Sequence, residues 1–135
     1  MPGIKELLDE LRANEIKIGL ASASRNAPAI IEVLGIKKYI NYIVDPSKIK
    51  KGKPSPDIFL AAAKFLDVEP QLCVGIEDAE AGIEAIKVAG MFAVGVGSYE
   101  SMKKADLIVE NTEKLKFAYI QNQFKKSKSA VFDKV

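Results

Sequence analysis

The sequence contains no histidine and a single cysteine, and each shortage excludes a class of chemistry. Histidine is the commonest general base and the commonest zinc ligand, so acid–base steps in this chain must use carboxylates, lysine or water. Cys73 alone can form neither an internal disulfide nor a multi-cysteine metal site. This cysteine usage predicts a protein of a reducing compartment, the cytoplasm.

The chain also lacks a strong net charge and a long hydrophobic run. Twenty basic and 18 acidic residues leave a net charge of +2, which gives no overall field toward nucleic acid or an anionic membrane. No run approaches the roughly 18 apolar residues of a membrane span, and the first residues do not resemble a signal peptide. We therefore expect no nucleic-acid partner and no membrane partner.

Short apolar runs alternate with amphipathic segments over a length that suits one compact domain. The patterns predict strands at 16–21, 39–44, 72–76, 91–96 and 107–109, and helices at 4–14, 29–34, 56–66 and 79–89. Such alternation predicts an α/β fold, a three-layer Rossmann-like parallel sheet with helices on both faces. We assign residues 1–124 to this core domain and residues 125–135 to a basic, loose tail.

Ligands of an open parallel sheet bind beyond the carboxyl ends of its strands, so the loops there are the first candidates for a site. The predicted strand 16–21 is followed by Ser22-Ala23-Ser24-Arg25-Asn26. Two hydroxyls, backbone N–H groups near a helix start, a guanidinium and an amide could together bind an anion. The alternative is that these residues only cap the next helix.

Two further loops carry complementary groups. Lys53 lies between Gly52 and Pro54 just before a predicted helix, where it could present a fixed positive charge or simply face solvent. Glu77 and Asp78 follow the strand at 72–76, where they could hold Mg²⁺ or cap a helix. Anion donors, a lysine and paired acids at successive strand ends are what phosphoryl transfer requires.

The sequences of these loops resemble motifs two, three and four of the haloacid dehalogenase (HAD) superfamily. LASASRN, KPSPDIFLAAA and GIEDAEAGIEAIKVAG are most similar to its β-phosphoglucomutase branch. The resemblance covers about residues 2–125. It implies that Ser22 and the amide of Ala23 hold the transferring phosphoryl group, that Lys53 offsets its charge, and that Asp78 with Glu77 holds Mg²⁺.

The same resemblance implies a substrate. Ser24, Arg25 and Asn26 match the stretch that grips the second phosphate of the sugar phosphate in this branch, which interconverts β-glucose 1-phosphate and glucose 6-phosphate through a bisphosphate. Arg25 stands where a close relative in this branch has lysine, and the two cations differ in geometry. The substrate detail is therefore open.

The first motif of the family, an apolar strand ending in Asp-x-Asp, occurs nowhere in this sequence, and neither does the helical cap that follows it. In the superfamily this strand lies between the strands predicted at 16–21 and 72–76. We therefore expect an incomplete sheet with two bare apolar edges, and a chain that is oligomeric or depends on a partner. The partner would be an amino-terminal segment or a second copy supplying the strand.

Several functions stay open at this stage. The chain could be one half of a split phosphotransferase, a catalytically silent module that binds phosphate and Mg²⁺, or a HAD phosphatase of small phosphate esters. The segment 129–133 resembles an apolar strand ending in Phe-Asp, so Asp133 is a further candidate nucleophile. Without a nucleophile we expect the chain alone to be nearly inactive.

Overall fold

A computed structural model describes the backbone of residues 2–133 and the side chains of residues 2–128. The elements in chain order are α1 Ile4–Ala13, β1 Gly19–Leu20, α2 Ala27–Val33, β2 Tyr42–Ile43, α3 Asp57–Leu66, β3 Val74–Glu77, α4 Glu80–Val88, β4 Phe92–Val96, α5 Tyr99–Met102, β5 Leu107–Val109 and α6 Phe117–Asp133. Short 3₁₀ turns lie at Lys37–Tyr39, Pro46–Lys48, Pro70–Leu72 and Thr112–Lys114. No helix in this described part is long and apolar enough to cross a bilayer.

The strands form two separate parallel sheets. β1 pairs with β2, with Gly19 opposite Tyr42, and β3, β4 and β5 pair in that order. Within residues 2–133, β1 and β3 each have one paired neighbour and do not pair with each other. The structure therefore has the interruption expected between these two strands.

Helices cover both faces of the three-stranded sheet, as the alternating side chains of β4 require. Phe92 and Val94 pack in one cluster with residues of α1 and α6, including Leu7 and Ile120. Ala93 lies in a second cluster that contains residues of α3, α4 and α5. The predicted α/β fold with a parallel sheet between two helical layers is thus confirmed.

The predicted elements agree with the structure except at the ends of several strands, at the start of α2, which begins at Ala27 and not at residue 29, and in the carboxyl-terminal third. The strand expected at 16–21 shrinks to Gly19–Leu20, the two residues that pair with Tyr42 and Ile43 of β2. The strand expected from residue 39 begins at Tyr42, since the preceding residues form a 3₁₀ turn. The short helix α5 was not predicted.

Helix α6 was also missed, and it changes two expectations about the carboxyl terminus. It runs from Phe117 to Asp133, so the domain boundary predicted at residue 124 falls inside a helix. The segment 129–133 is helical and not an apolar strand, so the strand reading on which the candidacy of Asp133 rested is wrong. The Phe124 ring of this helix meets Phe92 of the sheet edge-on, at 5.7 Å between centroids.

We expect Gly75→Ala to lower the free energy of unfolding by about 1–3 kcal/mol, measured by urea denaturation. A Cβ at Gly75 would lie 2.7 Å from Cδ1 and Cγ1 of Ile86 and 2.9 Å from its Cγ2. Ile86 is fully buried, so it has no space into which to retreat. Gly52→Ala is the control, because a Cβ there meets nothing within 4 Å. Equal effects of the two changes would contradict this packing.

Candidate phosphate and metal site

The candidate site lies beyond the carboxyl ends of β1 and β3, and two of its predicted residues are in direct contact. Lys53 comes from the segment between β2 and α3, and Glu77 is the last residue of β3. The Lys53 Nζ atom lies 2.7 Å from Oε2 of Glu77. This ion pair therefore joins the β1–β2 half of the molecule to the three-stranded sheet.

The pair is mostly withdrawn from solvent. The side chains of Lys53 and Glu77 are 22% and 12% exposed, and the ammonium lies 5.2 Å from the ring centroid of Phe59. Burial raises the pKa of Glu77, but the hydrogen bond and charge of Lys53 and the backbone N–H of Asp78 outweigh it, so the pKa lies below its ordinary value. Lys53 is thus a fixed charge and not a solvated loop lysine.

Glu77 also organises the turn into α4. Its Oε1 atom accepts hydrogen bonds from the backbone N–H groups of Asp78 (3.0 Å) and Ala79 (3.2 Å). No side chain caps α4 at its N-cap residue Ala79. Of the helix-capping role that the sequence left open for Glu77 and Asp78, the structure therefore shows only these turn hydrogen bonds to Glu77. Asp78 is exposed, and its carboxylate accepts no hydrogen bond from the described residues.

The loop after β1 is built from local hydroxyl bonds. Ser22 Oγ accepts from the N–H of Ser24, and Ser24 Oγ accepts from the N–H of Asn26, both at 3.2 Å. Asn26 is the N-cap residue of α2 but its side chain makes no capping bond. Within the described residues the N–H of Ala23 donates to no protein acceptor, which leaves it available to an anion. The exposed side chain of Arg25 makes no ion pair with the described carboxylates.

The predicted residues therefore divide into two groups. Lys53, Glu77 and Asp78 form one contiguous cluster, whereas no described hydrogen bond joins this cluster to the Ser22–Asn26 loop. Among residues 2–128 no three acidic or cysteine side chains come together as a metal cluster. The two carboxylates Glu77 and Asp78 are nevertheless ligands of the type that hard divalent cations take.

Sequence reasoning missed Asp45, which follows β2 at the same edge of the sheets. Its carboxylate accepts hydrogen bonds from the hydroxyl of Ser47 (2.7 Å) and from its N–H (3.0 Å). These bonds, followed by the charges of Lys48 and Arg25, hold the pKa of Asp45 below its usual value. The signal was the Asp-Pro-Ser order, which is typical of an aspartate that caps a turn.

Gly82 of α4 was quoted only as part of a motif, and the structure gives it a specific role. Any Cβ at this buried position would overlap the Cγ atom and carboxylate of Glu77. Helix propensity alone favours alanine over glycine by up to about 1 kcal/mol. Whether Gly82→Ala raises or lowers the free energy of unfolding therefore shows whether the Glu77 side chain lies against the helix.

We expect Gly82→Ala to lower the free energy of unfolding by about 1–2 kcal/mol, because Glu77 must leave its contact with Lys53. In a Glu77→Ala background the overlap is gone, and Gly82→Ala should then be neutral or stabilising. Urea denaturation of the four proteins gives this cycle. Stabilisation by Gly82→Ala in the parent chain would show that Glu77 lies elsewhere.

We expect Lys53→Met to cost about 1–3 kcal/mol of unfolding free energy, since it leaves the half-buried carboxylate of Glu77 without its partner. Adding Glu77→Gln should recover part of that loss. Lys51→Met is the matched control in the same loop, because Lys51 is exposed and forms no ion pair with the described side chains. Chemical denaturation measures the unfolding free energy of each variant, and equal losses in Lys51→Met and Lys53→Met would contradict the ion pair.

Comparisons with known proteins place the sequence among relatives. The sequence model of the haloacid dehalogenase-like hydrolases matches residues 1–90. The chain is 55% identical over 124 residues to the β-phosphoglucomutase of Bacillus subtilis, covering 92% of this chain and 55% of that protein. It is 35% identical over 92 residues to a phosphorylated carbohydrates phosphatase of Thermotoga maritima, covering 67% of this chain and 43% of that protein.

Solved structures give the same result for the fold. The crystal structure of β-phosphoglucomutase from Clostridium difficile superposes with a TM-score of 0.93 at 53% sequence identity, covering 94% of this chain and 57% of that chain. The chain thus spans about half the length of the relatives that it matches. Because the family's sequence model matches residues 1–90 and the identities to these relatives are high, the chain belongs to the haloacid dehalogenase-like hydrolase family.

Proposed function

We propose that the chain supplies the phosphate-binding and cation-binding part of a β-phosphoglucomutase-type phosphotransferase. The reaction would interconvert β-glucose 1-phosphate and glucose 6-phosphate. The observation that carries the proposal is the contact of Lys53 with Glu77, which places a fixed cation and paired acids at the carboxyl edge of a parallel α/β fold. The likeness to two β-phosphoglucomutases supports the choice of substrate.

In this proposal each residue of the chain stabilises negative charge, and none acts as the nucleophile. The hydroxyl of Ser22 and the N–H of Ala23 donate to the oxygens of the transferring phosphoryl group. Lys53 offsets the negative charge that spreads over those oxygens in the transition state. Ser24, Arg25 and Asn26 bind the second phosphate of the sugar bisphosphate, with Arg25 able to donate two hydrogen bonds at once.

Asp78 and Glu77 would hold Mg²⁺, which is a proposal that rests on the chemistry of their oxygens. When bound, the ion neutralises phosphate charge and orients the transferring group. Glu77 is already engaged by Lys53 and by two N–H groups, whereas the Asp78 carboxylate is exposed. Asp78 is therefore the more available ligand, and Glu77 chiefly positions Lys53 and the turn.

The nucleophile would come from a strand that is not among residues 1–135. We place it in the interruption between β1 and β3, brought by an amino-terminal segment; a second copy of the chain could cover the same edges but has no Asp-x-Asp to contribute. The apolar side chains at this interruption support the placement, since Val74 and Ile76 of β3 are 37% and 40% exposed. Strands of a parallel sheet are normally covered on both faces, so a further element is needed to bury them.

Two other functions have specific support. The absence of Asp-x-Asp from residues 1–135 favours a silent module that binds phosphate without turnover. The likeness to the Thermotoga maritima phosphatase favours hydrolysis of small phosphate esters. A cytoplasmic location stays a prediction from the cysteine usage.

We expect turnover of β-glucose 1-phosphate with Mg²⁺ only when this chain is mixed with a separately expressed amino-terminal segment of a complete relative. Removing a covalent nucleophile costs several orders of magnitude in rate, so the chain alone should be nearly inactive. A coupled assay for glucose 6-phosphate measures this. The matched control is the same segment with its Asp-x-Asp aspartates changed to asparagine.

Each outcome identifies one function. Turnover by the chain alone would contradict the proposed source of the nucleophile. A complex that forms and binds glucose 6-phosphate without turnover would favour the silent module, and release of inorganic phosphate in place of the isomer would favour the phosphatase. Within an active mixture, Lys53→Met should abolish most of the rate, while Lys51→Met should not.

A further inference from the structure

A second cluster of cations surrounds a cavity at the amino end of β1, on the opposite side from the candidate site. The cavity measures about 180 Å³ and lies between the end of α1 and the 3₁₀ turn at Lys37–Tyr39. We call it the α1–β1 pocket; besides Ile16, its lining residues are Arg12, Lys17, Lys38, Tyr39, Asn41 and Glu15. Three lining cations face one lining carboxylate.

Two of these cations are held against one aromatic ring. The Arg12 Cζ atom lies 5.8 Å and the Lys38 Nζ atom 5.3 Å from the ring centroid of Tyr39. Tyr39 is only 5% exposed, so the ring is a fixed platform for both. The ion pairs between described side chains join Lys53 to Glu77 and Lys87 to Asp106, so neither Arg12 nor Lys38 has a carboxylate partner there.

The remaining donors are anchored by the backbone. Lys17 Nζ donates to the carbonyl of Leu66 at 2.8 Å, which uses one of its three protons. The Asn41 Oδ1 atom accepts from the N–H of Ile18 at 2.7 Å. The amide NH₂ of Asn41 is then left without a protein acceptor among the described residues.

The acids near the pocket do not cancel this excess of donors. Glu15 is the one lining carboxylate, and its backbone has a φ of 58°, in the left-handed region. Asp9 accepts a hydrogen bond from the Tyr39 hydroxyl and is not a lining residue; with its charge counted, three cations still outnumber two carboxylates. A guanidinium, two ammonium groups and an amide around one small cavity form a donor set for a phosphate group.

We propose that the α1–β1 pocket binds a phosphate group, either as inorganic phosphate or on a phosphorylated sugar. The site is distinct from the loop at Ser22, because the five residue-to-residue steps from Lys17 to Ser22 span about 16 Å at the rise of an extended strand. One strand would thus connect two anion sites. The inference does not depend on the proposed phosphoryl transfer, so either can fail alone.

Phosphate titration of the ¹⁵N-labelled chain, followed by nuclear magnetic resonance at constant ionic strength set with chloride, tests the proposal. We expect saturable shifts of the Asn41 side-chain amide and of the backbone around Arg12 and Lys17. Lys38→Met should weaken this binding about tenfold, the effect of losing one charge-assisted hydrogen bond. Lys37→Met removes the same charge one residue away and should leave the affinity nearly unchanged.

A second matched pair guards against a local effect of one variant. Arg12→Met should weaken binding as Lys38→Met does, whereas Lys5→Met on the same helix should not. Tighter binding of glucose 6-phosphate than of inorganic phosphate would assign the pocket to a phosphorylated sugar, and equal binding would assign it to phosphate alone. Shifts that stay linear with concentration, or equal losses within each pair, would overturn the proposal.

Discussion

Helix α3 has to hold together two sheets that have no strand in common. On one side it packs under β1, where a Cβ at Gly19 would lie 3.0 Å from Cδ1 of Leu66 and 3.6 Å from Cβ of Ala62. On the other side it contacts α4, and its buried residues share one apolar cluster with Ile83 and Ile86 of that helix. Because no strand-to-strand hydrogen bonds join β1 to β3, this helix packing fixes the position of the two halves relative to each other.

The Lys53–Glu77 ion pair adds a polar connection at the edge where chemistry is expected. Its position depends on α3, because Lys53 lies just before that helix and contacts the ring of Phe59 within it. It depends equally on Gly82, which leaves room for the Glu77 side chain on α4. A half-buried ion pair contributes little net stability after desolvation, so its main effect is to fix where the positive charge lies.

The charges at this edge are divided between fixed and available groups. Glu77 uses both carboxylate oxygens on protein donors, whereas Asp78 is exposed and the N–H of Ala23 has no acceptor in the described part of the chain. The groups left available are those that a phosphate and a cation would need. The same contrast marks the α1–β1 pocket, where Lys17 is anchored and Lys38 lacks an anionic partner.

Much of the fold could be predicted because its signals are local. The apolar run at 72–76, the amphipathic pattern at 4–14 and the glycine after the helix at 79–89 each act within a few residues, and the structure has β3, α1 and α4 there. The polar loops after the strands were found by the same reasoning. Helix α6 was missed because its polar half, including the lysines after Phe124, has no clear hydrophobic periodicity. Its apolar side chain Phe124 packs against Phe92 of β4, a contact that the local sequence does not reveal.

The sequence by itself determined the alternation of strands and helices, the family, and which side chains stand at the strand ends. Only the tertiary structure decided that Lys53 contacts Glu77, 24 residues away, and that Asp78 does not take part in that pair. It alone brought Arg12 and Lys38 to the ring of Tyr39. The reason is physical: local patterns set backbone conformation, whereas contacts between distant residues depend on how α1, α3 and α4 pack around an interrupted sheet.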